Sequence, residues 1–338
     1  LSTFWSTFSS YSLVESFTLT VTCLAGLYLA RSFTLLEQLT LFLVGMQPGL
    51  IVSWYAVRNN WTGAVNFDEN YWIGIYFNRN SLAPPAALGL LAAGALTWIL
   101  IVRRPKYWGV VVLVLFDVIL LNFGLLIRSK SSTSLGAIAV FIFVWAFWTA
   151  IRWGRSRRDF SADQLRQYVY PGFLLTLILL TWFSFRFQEI LSRVFKSNID
   201  FNGRTTLWRF SWSGFLDKPL FGWGWFSAWQ TPNFFHERDY WWALTSTTWS
   251  HSGVMDVLLG GGVIGAGLLV LAILWSGARQ LERVFTQTAG QWAFATTWFV
   301  IAASTQESFI VGNHFLWLLL VASMVGSKNE FREAVKVN

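Results

Sequence analysis

The sequence predicts an all-α, polytopic membrane protein, and three observations carry that expectation. Of its 338 residues, 54% are hydrophobic and 12% charged, about half the charged share of an ordinary soluble domain. Mean hydropathy is +0.47. The apolar residues also gather in runs long enough for spanning helices, which need roughly 20 residues each. So little polar surface excludes both a soluble globular domain and a disordered chain.

Nine runs qualify in chain order: Leu13–Ala30, Leu39–Val57, Leu82–Val102, Trp108–Ile127, Leu135–Trp153, Val169–Phe185, Val254–Trp275, Trp292–Ser308 and Phe315–Val325. The last is short for a crossing unless it begins nearer Phe309. Orientation follows from the basic loops. With nine spans, Arg31, Arg103, Arg104, Lys106, the cluster Arg152–Arg166, Arg279, Arg283 and the tail lysines and arginine all fall on one side. They make 14 of the 25 basic residues, and such a bias marks the cytoplasmic face. The net charge of +8 is thereby a membrane signature, and no nucleic acid partner is expected. The economical description is one transmembrane domain over residues 1–338, with a large outer loop at 186–250. That loop carries eight tryptophans between Trp208 and Trp249, a residue that favours the lipid–water interface. It is expected to lie along the membrane surface as short amphipathic helices. The chain opens on Leu1, so further helices upstream are expected.

Several chemistries are missing from the sequence. It has no phosphate-cradling glycine loop with a lysine, no nicotinamide fingerprint and no HExxH pattern. Cys23 is the one cysteine, too little for an internal disulfide or a thiolate zinc site. Three scattered histidines make no metal set, so no metal and no cofactor are expected. Gly260, Gly261, Gly262, Gly265 and Gly267 sit in an apolar run and read as close helix packing. Asp117 and Glu307 are the clearest intramembrane carboxylates, fewer than proton-coupled transport usually uses.

Four polar patches remain, all on the expected outer face. They are Gly74–Ala83, Arg128–Leu135, Asn202–Arg209 with Lys218–Gly224, and Ser250–Gly260. Arg79, Arg128, Lys130, Arg204 and Arg209 place fixed positive charge at the ends of apolar segments. Guanidinium groups pair bidentately with phosphate oxygens. A lipid diphosphate would set its phosphates at this depth with its tail in the bilayer. His251 carries an imidazole, a group whose reference pKa lies near 6.5, and is the side chain suited to accept a proton from a sugar hydroxyl attacking an anomeric carbon. The same residues fit a plainer account: arginines at helix ends snorkel to headgroups, and the Ser/Thr cluster caps the fifth span. Composition and spacing point to an outer-face anionic site and stop short of a reaction.

In this order, the patches resemble the O-antigen ligase and O-antigen polymerase-like family of bacterial membrane glycosyltransferases. Gly74 to Ala83 is similar to that family's G-x-F-x-x-K/R-N-x-L-G/A segment, with a one-residue offset at Phe77. Ser129, Ser131, Thr133 and Leu135 match S-x-S-R/K-T-x-L, with Ser132 at the usual basic position and Lys130 or Arg128 nearby to supply the charge. Gly203, Arg204 and Trp208, then Pro219, Leu220, Gly222 and Gly224, match G-R-x-x-x-W before P-L-x-G-x-G. His251, Ser252, Gly262 and Gly265 match the histidine segment, with Met255 at its usual leucine. The resemblance covers about Tyr71 to Val270. It implies an undecaprenyl-diphosphate-linked oligosaccharide donor, a glycan or lipid acceptor, and inverting, metal-independent transfer at the outer face of the cytoplasmic membrane. It also implies more spans than nine. Arg204 and Arg79 would hold diphosphate, with Arg128, Lys130, Arg209 and Asn80 completing the binding set, and His251 would assist the acceptor. A transporter of an anion or lipid-linked glycan is the competing expectation. Its helix breaks would lie at Pro48-Gly49 in the second span or at Pro84-Pro85 in the third.

Overall fold

The structure, a computed structural model, describes residues 2–155, 167, 171, 204–230, 249–310 and 314–326. It is all-α as expected. The helices are α1 (Ser9–Ser32), α2 (Leu35–Arg58), α3 (Arg79–Arg103), α4 (Trp108–Ser129), α5 (Ser132–Arg155), α6 (Arg204–Asp217), α7 (Gly253–Thr286), α8 (Thr288–Ser304) and α9 (Phe315–Val325). Among the described residues the only strands form a two-residue hairpin, β1 (Val65–Asn66) antiparallel to β2 (Tyr71–Trp72). Helices α1 to α5 and α7 are long and apolar enough to cross a membrane, which matches six of the nine expected spans. Apart from Val169–Phe185, which save for Pro171 lies outside the described residues, the rest are shorter helices. α8 has 17 residues and is buried on nearly every face. α9 has 11 residues, about 16 Å against a hydrocarbon core of about 30 Å.

The chain divides into two compact units. One comprises residues 26–140 with 325–338, the other residues 1–25 with 141–324. In the first, α3 packs along α2 and α4. Ala83, Ala86, Ala87, Ala92 and Ala93 line the buried side of α3, and such small side chains let helix backbones approach closely. A buried amide pair ties two of these helices, with Asn122 of α4 donating to Gln47 of α2 at 3.1 Å. Gly89 makes the room, since a Cβ there would stand 2.8 Å from the Asn122 carbonyl oxygen. α2 starts on a capping box between Thr34 and Glu37. It runs unbroken through Pro48, so the second span lacks the interruption a transport site would use.

In the other unit, α7 carries the break. Its 34 residues include Gly262 at φ 62°, ψ −163°, a conformation open to glycine and costly for other residues. A break inside an apolar helix leaves backbone groups without partners, and lipid cannot supply them. The Pro219–Gly224 loop supplies them here. Trp223 N–H donates to Leu259 O at 2.8 Å and Gly224 N–H to Gly260 O at 3.1 Å. In return, Val263 N–H reaches Pro219 O at 2.8 Å and Ile264 N–H reaches Leu220 O at 3.2 Å. Both glycines at this crossing are required by space. A Cβ on Gly222 would sit 2.5 Å from Leu259 O, and one on Gly262 would sit 2.3 Å from Leu220 O. The expectation of close helix packing along the glycine run is replaced by close loop packing at two positions: Gly262 abuts Leu220 and Gly260 abuts Trp225, whereas Gly261, Gly265 and Gly267 meet nothing within 4 Å among the described residues. The N-terminal segment straps the same loop through Trp5 to Phe221 O (3.0 Å) and Ser12 to Trp225 O (2.9 Å).

α6 lies in the tryptophan-rich stretch and is apolar on more than one side rather than amphipathic. It buries Leu207, Phe210 and Phe215 against Trp229 and Leu259, while Trp212, Leu216 and Arg209 stay exposed. From Phe141 onward, α5 meets α8 through aromatic contacts, Phe141 on Trp292 and Trp148 on Phe294.

The splice at Gly262 makes a prediction. Gly262→Ala places a methyl group on Leu220 O at a positive φ and is expected to destabilise the protein by at least about 1–3 kcal/mol. Gly261→Ala, with open space around it, is expected to be neutral or slightly stabilising. Thermal unfolding of both variants in detergent checks the contrast.

Candidate functional site

Three turns of the second unit converge on one carboxylate. Arg204 opens α6, His251 sits two residues before α7, and Glu307 lies in the turn after α8. Glu307 is 6% exposed, and a buried carboxylate is stable there only when paired. One of its oxygens takes the Arg204 guanidinium. The other lies 2.9 Å from His251 Nδ1. The turns are also joined through backbone, since Gly253 N–H donates to Glu307 O at 3.0 Å. Gly253 itself fits tightly, because a Cβ would meet Ile310 at 3.2 Å.

This arrangement bears on what the histidine can do chemically. With the neutral ring donating from Nδ1 to Glu307, Nε2 carries the free lone pair. A carboxylate so placed orients the ring and would stabilise an imidazolium were Nε2 to accept a proton. Arg204 spends part of its donor fork on Glu307, and a guanidinium has five N–H groups in all. The His251 side chain is 29% exposed, and Trp249 stands edge-on to it with ring centroids 5.9 Å apart. His251 holds a left-handed backbone, φ 50°, which few non-glycine residues adopt.

The first unit gathers a second set of cations around its hairpin. Arg79, the first residue of α3, lies 3.5 Å from Glu69 and over the Tyr71 ring at 4.7 Å. Arg128 lies over the Trp72 ring at 5.7 Å. Lys130 donates to Glu69 O at 3.1 Å. Ser131 donates to Asn80 at 2.9 Å, which joins the first two sequence patches. Gly74 explains its own place in its motif: at φ 66° it lies against Ser53, whose Cβ would be 2.3 Å from an added methyl group.

Of the expected site residues, the structure thus joins Arg204 with His251, and groups Arg79, Asn80, Arg128 and Lys130. Arg209 is exposed, about 140° around α6 from Arg204, and takes no part in the Glu307 cluster. Asn202 and Gly203 lie outside the described residues. Glu307 stands out in the sequence only as an intramembrane carboxylate; its place between Arg204 and His251 comes from the fold. The available signal is a single acidic residue near the end of the apolar run Trp292–Ser308. His314 has a structural role, with its Nδ1 accepting from Leu316 N–H at 3.2 Å at the start of α9.

A family model described as O-Antigen ligase matches residues 117–270. The match runs from within α4 into α7 and takes in Arg128, Lys130, Arg204, Arg209 and His251. No curated protein matches the chain. Six helices are fit to cross a membrane, and the family match takes in the motif-bearing loop stitched into α7: the chain is a polytopic membrane protein that is similar over residues 117–270 to the O-Antigen ligase family.

Proposed function

We propose that the chain is a membrane glycosyltransferase that transfers or polymerises oligosaccharide units from an undecaprenyl-diphosphate-linked donor. The acceptor is a glycan or lipid, and the reaction takes place at the outer face of the cytoplasmic membrane. The observation that carries the reading is the shared carboxylate: Glu307 pairs Arg204 and His251, a base and a cation, in one cluster.

In this mechanism His251 Nε2 takes the proton of an acceptor hydroxyl as its oxygen attacks the anomeric carbon of the donor sugar. The bond from that carbon to the diphosphate oxygen breaks, and its electron pair leaves with the lipid diphosphate. Attack opposite the leaving group inverts the anomeric centre. Arg204 stabilises the negative charge growing on the diphosphate, which is where fixed cations accelerate such a step. Glu307 holds the imidazole in the productive tautomer throughout. The step as written draws its positive charge from arginine, and so proceeds in chelator. Arg79, Arg128, Lys130, Arg209 and Asn80 are assigned to binding the anionic donor.

The break in α7 is the one feature that favours a transporter, whose sites use interrupted helices. Four backbone groups at that break are already bonded to the Pro219–Gly224 loop, which argues for a structural role instead.

The test is purified protein in proteoliposomes with a lipid-linked oligosaccharide and acceptor, with chelator present. Longer or transferred glycan is expected; counterflow of substrate without covalent product would establish transport. Arg204→Ala and His251→Ala are expected to abolish transfer while the protein inserts and accumulates normally. Glu307→Gln keeps the shape but loses the charge that fixes the tautomer, and is expected to lower kcat on the order of 10²–10⁴-fold. Arg79→Ala and Arg128→Ala each remove one charge-assisted contact, about 1.5–3 kcal/mol, and are expected to raise the donor KM at least about tenfold with a smaller change in kcat. Steady-state kinetics on each variant separates these outcomes.

A further inference from the structure

We propose that Asp256 is a positioning residue for the transfer reaction, acting through Ser250 on the backbone of His251. The inference rests on the function proposed above and extends it to a residue outside the Arg204–Glu307–His251 cluster.

Asp256 lies in the first turn of α7 and is 5% exposed. A carboxylate in the first turn of a helix ordinarily answers the helix's own free N–H groups or its dipole from the surface. Asp256 is buried and reaches backward instead, past the N-cap. Its Oδ1 accepts from the Ser250 N–H at 2.9 Å and from the Ser250 hydroxyl at 2.6 Å. Ser252, the N-cap residue, makes no side-chain capping bond, so the carboxylate does not act as half of a capping box. Its other polar neighbours are the Ser308 hydroxyl, short of hydrogen-bond geometry, and His251, whose ring it meets electrostatically and without a hydrogen bond. Ser250 directly precedes His251, and Ser308 directly follows Glu307. The carboxylate therefore stands behind both members of the imidazole–carboxylate pair.

His251 needs such support. Its φ of 50° is a sparsely populated conformation for a residue with a side chain, held only where the surroundings determine it. Behind His251, Ser250 is pinned by two bonds to Asp256. Ahead of it, Gly253 N–H is pinned to Glu307 O. Between those anchors the chain turns left-handed, and the imidazole faces Glu307. Without the rear anchor, His251 relaxes toward an ordinary backbone and its ring leaves the 2.9 Å contact with Glu307. Asp256 is buried behind the pair, so the loss is expected in the chemical step rather than in substrate binding.

Kinetics in proteoliposomes with lipid-linked oligosaccharide and acceptor test this. Asp256→Val keeps the approximate volume and removes the acceptor oxygen. It is expected to lower kcat about 100-fold, the cost of displacing a catalytic group by about an ångström, with the donor KM within about twofold of the parent. Asp256→Asn keeps Oδ1 for both Ser250 donors, and is expected to stay within about threefold of the parent in kcat. Ser250→Ala keeps the backbone bond and loses the hydroxyl, so its kcat is expected between those two. Parental kcat in Asp256→Val overturns the assignment, as does an Asp256→Asn variant as slow as Asp256→Val, which would place the effect in charge rather than geometry. Should Asp256→Val fail to accumulate, parental kcat in Ser250→Ala overturns it equally. His251→Ala separates this inference from the one beneath it. If that variant transfers normally, the proposed function fails; if it is inactive while Asp256→Val is fully active, the positioning role alone fails.

Discussion

The buried carboxylate of Glu307 is the constraint around which the unit that holds Arg204 and His251 is arranged. It lies in a short turn between two helices and is 6% exposed. Removing a carboxylate from water costs several kcal/mol unless its lone pairs are met. Two residues meet them, Arg204 from the start of α6 and His251 from the turn before α7. The pairing gives three distant stretches of sequence a common point. It also sets the imidazole tautomer without any residue dedicated to that task alone. The electrostatic requirement and the chemical one are satisfied by the same contacts.

The α7 splice performs a parallel service for the backbone. α6 packs on α7, and the loop leaving α6 enters the break in α7 within a few residues of Asp217. Arg204 is therefore carried on a helix whose far end is bonded into the helix that follows His251. The orientation of α6 is fixed at both ends, by an ion pair at its first residue and by backbone hydrogen bonds just past its last. The proline, leucine and glycines of Pro219–Gly224 are the residues such a graft needs. Gly222 leaves room for the α7 carbonyls. The Pro219 and Leu220 carbonyls accept, and the Trp223 and Gly224 amides donate.

Much of the architecture could be read from periodicity and composition, because bilayer solvation imposes length and apolarity on each spanning helix. The five spans from Leu13 to Trp153 needed nothing more. The tertiary contacts were less accessible. Pro48 reads as a break and is carried inside an intact helix, whereas the true interruption falls at Gly262, within a run that reads as uniformly apolar. A hydropathy pattern does not encode which glycine adopts a positive φ. Glu307 illustrates the same gap. Its presence in an apolar setting is visible in the sequence, but its partners lie 56 and 103 residues away. Such a pairing depends on three turns meeting in space. The patch motifs indicated which residues to examine, while the side-chain geometry showed that Arg204 and His251 meet through a third group and that Arg209 points elsewhere.

The mended helix has a consequence for biogenesis. A translocating ribosome releases residues 219–224 before residues 259–264, so the donors and acceptors that close the gap are made before the gap exists. Until they dock, α7 would present bare carbonyl and amide groups to hydrocarbon, at several kcal/mol apiece. Lateral release of that segment into lipid is thereby coupled to its capture by the preceding loop. The order of residues along the chain thus acts as a timetable, in which the repair is delivered ahead of the damage.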